Sequence, residues 1–513
     1  MTQGLMAALQ TFARSAPERM ALSSKDGAVS YAELLQRSRA LAGVLRAEGI
    51  APGDRVVLVL DNSVEFVVGY LATQVLGAIA VPWNPMSPCA ALEGVFRDCT
   101  PAAALIEPRH ADWLPALAQA SAAFRSVGVT RGTDTHRAAG VSTWTWADRM
   151  AVSPMAEPCD HGRTDDVAAI IYTSGTTGTP KGVMLSQRNL EAIAAAGTQM
   201  LGLASEDRVG IVAPLFHLYA LREVDAALRL GAAVLLPPGG VFLTSQLGFL
   251  KSAQATGLSA VPSVLAIMAE KYPAGLAALA GDLRYLTIGT APATRALVAR
   301  LRDLLPQTRI VLTYGLTECS RVCYREIVGP EDDSLGVHIG RPYPGVELEL
   351  LNPSDGVGRI AVRSPMVMRG YWNRPEATAA VLQSDGTLLT PDCGWLSEQG
   401  ELHLLGRLDD VINCGGHKVS PDEVEAALVS HPGVAQVAVT PLADPEGLLG
   451  QVVRAVVVPR DPALTSADLL QHAARRLEAY KVPRVIEFVE EIPSSVLGKP
   501  QRSALRRDAA PRA

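Results

Sequence analysis

The stretch Val167-Ala168-Ala169-Ile170-Ile171-Tyr172, continuing into Thr173-Ser174-Gly175-Thr176-Thr177-Gly178-Thr179-Pro180-Lys181-Gly182, is the part of this chain from which the rest can be read. The first six residues form a short apolar run suited to a buried strand. The residues after them gather the hydroxyls of Thr173, Ser174, Thr176 and Thr177, the backbone exposed at Gly175 and Gly178, and the charge of Lys181. Hydroxyls, free amides and a lysine are the donors that wrap phosphate oxygens. Ser186 reads as the N-cap of a helix from Gln187 to Ala195. The pattern therefore predicts strand, donor-rich loop, helix, an order in which amides face an anion. It is not a Walker A loop, because Pro180 precedes Lys181 and Gly182 follows it. A flexible Ser/Thr/Gly surface loop is the alternative, and the tight fit between strand and helix disfavours it.

Outward from this loop, strand-like runs such as Val56–Leu60, Ala78–Val81, Val209–Val212, Ala233–Leu236 and Leu286–Ile288 alternate with helical patterns. That alternation predicts an α/β chain with doubly wound parallel sheets. Short strands at Glu347–Leu351 and Gly358–Val362 indicate a smaller β-rich subdomain. Beyond Gly406 the order is helix (Pro421–Ser430), strands (Val434–Thr440, Val452–Val458) and helix (Ser466–Ala479), an α+β module of about 100 residues. A length of 513 residues calls for at least two domains.

Composition excludes several classes. Hydrophobic content of 48% with 19% charged residues is that of a globular chain. A net charge of −6 without a Lys/Arg stripe argues against nucleic acid as partner, and the arginines from Arg502 to Arg512 read as a solvated tail. Met1 to Pro17 reads as an amphipathic helix with Leu5, Leu9 and Phe12 on one face, not as a signal peptide. No apolar run reaches the roughly 20 residues of a membrane span. The seven cysteines are scattered, with no Cys-x-x-Cys, so reduced thiols and a cytoplasmic location are expected. Cys319 and Cys323 would share a helix face.

Three distant segments join the loop. Tyr314-Gly315-Leu316-Thr317-Glu318, then Gly406-Arg407-Leu408-Asp409-Asp410 with Gly415-Gly416, then Gly498-Lys499 occur in that order. Together the four resemble the motifs of the adenylate-forming superfamily: acyl- and aryl-CoA synthetases, firefly luciferase and nonribosomal adenylation domains. The resemblance covers essentially the whole chain. It implies an N-terminal domain (1–406) that binds ATP and acid, and a small mobile C-terminal lid (407–513) hinged near Asp409. It further implies activation of a fatty or aryl carboxylic acid as acyl-AMP, with pyrophosphate release, and then transfer to coenzyme A. Mg2+ would be the cofactor, ATP and coenzyme A the co-substrates, and a homodimer is compatible with it.

On that resemblance, Thr173, Ser174, Gly175, Thr176, Thr177, Gly178 and Lys181 would hold the β- and γ-phosphates. Tyr314 would stack on adenine, Gly315 belongs to the same motif, Thr317 would donate to the α-phosphate, and Glu318 would bind Mg2+; a solvated strand-end turn is the alternative for Glu318. Asp392 would accept from the ribose hydroxyls with Arg407 nearby, although Pro391 stands where the family usually has glycine. Lys499 would be the adenylation catalyst, though a terminal lysine is ordinarily solvated. Gly415 and Gly416 would line the thiol tunnel. His217, Leu218, Tyr219, Gly289 and Thr290 would form the acyl pocket, with His217 beside the acid carboxylate unless it is a core histidine. Amino-acid-activating members have aspartate after the phenylalanine; His217 after Phe216 favours a simple acid. Arg222 reads as a helix-surface residue rather than the partner of a second carboxylate. A carrier-protein phosphopantetheine is the rival acceptor, and an inactive nucleotide-binding relative the reading from another class.

Overall fold

The computed structural model describes residues 4–130, 140–152, 155–157, 164–173, 180–239, 243–291, 293–328, 338–354, 356–408, 410–414, 417–444, 450–493 and 502–505. Ser174, Gly175, Thr176, Thr177, Gly178, Asp409, Gly415, Gly416 and Lys499 lie outside them.

Among the described residues the apolar runs pair as expected. One sheet takes its strands in the spatial order Gly370–Tyr371, Lys181–Ser186, Val167–Thr173, Ile79–Pro82, Arg55–Val59, Ala103–Ile106, Ser126–Val129 and Ser142–Thr145. From Val167–Thr173 onward every pairing is parallel. Such strands are covered on both faces, which is why Val56, Val57, Leu58 and Val59 are all fully buried rather than alternating. A second sheet has a parallel centre of Arg208–Ile211, Ala233–Leu236, Gly257–Ala260, Tyr285–Ile288 and Arg309–Leu316. Antiparallel strands from Cys319–Glu326 to Glu347–Ser354 extend one edge of it, so the β-rich part continues this sheet through His338–Pro342.

The C-terminal part has its own three-stranded sheet, Val434–Ala443, Gln451–Pro459 and Val485–Phe488. Its core gathers Ile412, Val424, Leu428, Val439, Val453, Val457 and Leu469. Here the second helix stops at Ala474, short of the expected Ala479. Arg502 is not a solvated tail residue. It donates to both carboxylate oxygens of Glu425, at 2.9 and 2.7 Å, and pairs with Asp422.

Two local expectations change. Lys181–Ser186 is a strand, antiparallel to Val167–Thr173 with Thr173 opposite Lys181. The donor-rich segment therefore connects a hairpin and does not run into a helix. Val183 and Leu185 are buried on one face, the period-two signature of a strand. The helix begins at Gln187, capped by Ser186 with Asn189 in a capping box, and runs to Leu201. Cys319 and Cys323 lie on the strand Cys319–Glu326, not on a helix. Among the described residues, no helix is long and apolar enough to cross a membrane.

Candidate active site

Thr317 and Glu318 turn the chain between antiparallel strands, with Tyr314 opposite Cys323 and Leu316 opposite Cys319. Glycine at 315 is a packing requirement, since a Cβ there would lie 2.1 Å from the Ser320 carbonyl oxygen. The Glu318 carbonyl accepts from the Met368 amide at 2.8 Å, and its carboxylate accepts from the Tyr371 hydroxyl at 2.7 Å. Burial, reinforced by the Glu318 charge, raises the Tyr371 phenol, so it stays a neutral donor. Tyr371 also pairs across the strands with Val183, and the Lys181 Nζ stands 5.2 Å from its ring centroid. Tyr371 thus links the end of the donor-rich loop on one sheet to the Glu318 turn on the other. The sequence reading missed it, because its partners are remote in the chain.

Asp392 and Arg407 face each other on neighbouring antiparallel strands, with Arg407 Nε 4.0 Å from Asp392 Oδ1. Tyr314 donates its hydroxyl to Asp392 Oδ2 at 2.5 Å. Asp392 is buried at 6% exposure. Pro391 sits where the ladder to Val357–Arg363 slips between Arg359 and Ala361, and Arg359 donates to the Thr390 carbonyl there at 2.7 Å. A bulge is where a strand tolerates a residue without an N–H. The proline therefore leaves Asp392 within the strand and opposite Arg407.

Phe216 and His217 precede the helix Leu218–Arg229, with their rings 4.3 Å apart. Burial lowers His217 to about 4, leaving a neutral imidazole near pH 7, and its Nε2 has no partner among the described residues. Leu218 is buried. Tyr219 donates to the carbonyls of Ala260 and Thr287 at 3.2 and 3.1 Å, and its ring fills the space a Cβ on Gly289 would need. Thr290 adopts φ +72°, an outlier for a β-branched residue, and its buried Oγ1 also lacks a partner among the described residues. Gly289 and Tyr219 meet; His217 and Thr290 each carry an unmatched polar atom.

Arg222 departs from its reading. It is buried at 3% exposure, pairs with Glu223 at 3.1 Å and donates to the Ser320 carbonyl at 2.5 Å. Charged residues at 222, 223, 225 and 229 imitate an exposed helix face, yet all four are buried.

The chain matches the AMP-binding enzyme family over residues 9–372 and that family's C-terminal domain over residues 423–499. It is similar to a feruloyl-CoA synthase of Amycolatopsis sp, 34% identical over 96% of this chain and 97% of that one. A long-chain-fatty-acid–CoA ligase of Mycobacterium tuberculosis is 30% identical over 94% and 93% of the two chains. The crystal structure of ATP-bound MatB from Rhodopseudomonas palustris superposes with a TM-score of 0.85 at 28% identity, covering 99% of this chain and 98% of that one. With the fold, both matched segments and near-complete coverage in agreement, the chain belongs to the AMP-binding enzymes.

Proposed function

We propose that this ATP-dependent acid–CoA ligase activates a simple carboxylic acid, aryl or fatty, and not an α-amino acid. The observation that carries the reading is the meeting of two groups at one turn, Tyr314–Asp392–Arg407 and Lys181–Tyr371–Glu318, with Tyr219 and Thr313, the latter on the strand leading to it, packed against Gly289. Adenylation brings a carboxylate to the α-phosphate, so the protein must neutralise charge and hold an in-line geometry. Asp392 accepts from the ribose hydroxyls and Arg407 approaches the same sugar. Thr317 donates to the α-phosphate, while Thr173, Lys181 and the loop between them hold the departing pyrophosphate. Neutral His217 offers an N–H to the acid without demanding a counter-charge. No carboxylate follows Phe216 to pair an α-ammonium group.

Mg2+ takes one or two carboxylates and otherwise phosphate and water oxygens. Glu318, oriented by Tyr371, fits that donor set. When bound, the ion would supply charge neutralisation at the phosphates. Lys499 bridges acid and α-phosphate from the lid, residues 407–513. That lid turns about Asp409, and Gly415 and Gly416 then admit the thiol. The relatives that act on ferulate and on long-chain fatty acids bracket the acid class.

The test is pyrophosphate release with ferulate, 4-coumarate, benzoate, palmitate and the proteinogenic amino acids, repeated with coenzyme A and with a holo carrier protein. Release and thioester formation with a simple acid and coenzyme A are expected. Response to amino acids alone would refute the acid class, and thioester on the carrier protein alone would refute the acceptor.

A further inference from the structure

Behind the Tyr219 ring lies a buried cluster that the reaction scheme above does not use. Arg222, Glu223 and Arg321 have side-chain exposures of 4, 3 and 0%. Both guanidiniums share one carboxylate oxygen: Glu223 Oε1 is 3.1 Å from Arg222 Nε and 2.9 Å from Arg321 Nη2. Arg222 Nη1 also donates to the carbonyl and hydroxyl of Ser320, at 2.5 and 3.1 Å. Arg321 Nε donates to the Ile193 carbonyl at 3.0 Å. One nitrogen, Arg222 Nη2, is buried without a hydrogen-bond partner among the described residues, while the Arg321 guanidinium also faces Tyr343, 5.6 Å from its ring centroid. The chain makes room for this group: a Cβ on Gly197 would lie 2.3 Å from Arg321 Nη2.

Two cations against one anion leave an excess positive charge in the interior, which is costly unless something compensates it. Its location suggests what does. The Arg222 guanidinium lies 4.7 Å from the centroid of the Tyr219 ring, whose edge abuts Gly289 in the acyl pocket. The Ser320 carbonyl that Arg222 holds is the atom packed against Gly315. The cluster therefore sits beneath the junction of acyl pocket and nucleotide motif, where carboxylate and α-phosphate must approach each other. A fixed positive charge in a low-dielectric surrounding favours an anion there without reorganising during the reaction.

We propose that Arg222 is a positioning residue of the adenylation step. Through Tyr219 and the Ser320 carbonyl, the excess charge of the Arg222–Glu223–Arg321 cluster selects the ionised acid and holds the pocket helix against the Glu318 turn. This rests on the adenylation reading, which wild-type pyrophosphate exchange tests independently.

The experiment measures dissociation constants, with a non-hydrolysable ATP analogue present, for the panel acid that turns over fastest and for its uncharged primary carboxamide. In Arg222→Met the acid is expected to bind about tenfold more weakly, with the amide changed by less than about twofold. Arg222→Lys, which keeps the charge, restores most of the difference. Glu223→Gln removes the counter-charge and shifts the acid-to-amide ratio the opposite way; this variant carries the test if Arg222→Met does not fold. Equal weakening of acid and amide, or an unchanged ratio in Glu223→Gln, overturns the proposal even where wild-type exchange confirms adenylation.

Discussion

Removing one hydroxyl, in Tyr371→Phe, isolates the link between the two sheets. The ring remains, so its contact with Lys181 and its packing survive; only the 2.7 Å bond to Glu318 is lost. A hydrogen bond to a charged group is worth about 1.5–3 kcal/mol, which is a factor of about 10–150 in an equilibrium constant. Little of this should appear as unfolding, because Glu318 is only partly buried and water can replace the lost donor. It should appear instead as a Glu318 carboxylate that no longer points one way. If Glu318 is the protein's ligand to the Mg2+ of the nucleotide complex, apparent Mg2+ affinity falls by about one order of magnitude, as expected for loss of a group that orients a metal ligand. The assay is acid-dependent ATP–pyrophosphate exchange across a Mg2+ titration, alongside Mn2+ binding followed by electron paramagnetic resonance with ATP present. Thioester formation from synthetic acyl-AMP serves as the control and should be preserved. Equal loss in both half-reactions, or exchange with an unshifted Mg2+ dependence, would refute the reasoning.

Other perturbations address other parts of the molecule. Burial pushes the Asp225 carboxyl up to about 7, with Tyr70 donating to it at 3.0 Å. Its folded-state value exceeds the unfolded one, near 3.9, so its contribution is fully present below about pH 4 and is lost as pH rises from there to about 7, by up to about 4 kcal/mol. Asp225→Asn should flatten that fall in urea unfolding between about pH 4 and 7. The wild-type-minus-variant difference cancels His217, whose lowered value acts in the opposite sense; parallel curves would show that Asp225 is ionised throughout. Gly315→Ala forces a methyl to 2.1 Å from a backbone oxygen, and the displaced turn should reduce exchange by about two orders of magnitude; near-native exchange would mean the turn does not set the geometry. Lys499→Ala should nearly abolish acyl-AMP formation yet leave thioester formation from acyl-AMP intact, and loss of both would remove Lys499 from the first step.

What the sequence made legible, and what it hid, divides along a physical line. Gly315 and the Asp392–Arg407 pair were reached only through the motif resemblance, and the structure shows the demands behind the motif: a Cβ excluded by a carbonyl, and a carboxylate placed opposite a guanidinium across two strands. The strands are different, because their demand leaves a mark in a short stretch of chain. The parallel strands were legible from composition alone, since a strand buried on both faces must be apolar throughout. Lys181–Ser186 was misread because two local signals competed. The Ser186 cap is real, but the alternation of Val183 and Leu185 before it belongs to a strand whose outer partner, Gly370–Tyr371, comes from far along the chain. Tyr371 and Arg222 show the limit more sharply. A tyrosine after glycine, or an arginine in a helix rich in charge, has no local property that separates a surface residue from a buried one. The difference is made by Glu318 in one case and by Glu223, Ser320 and Arg321 in the other. Charge periodicity on a helix therefore indicates exposure only where no counter-charge arrives from elsewhere. In Leu218–Arg229 every residue is buried, and the charges that look like a solvated face are matched inside the fold: Arg222 and Glu223 by Ser320 and Arg321, Asp225 by Tyr70, and Arg229 by the Glu191 carbonyl.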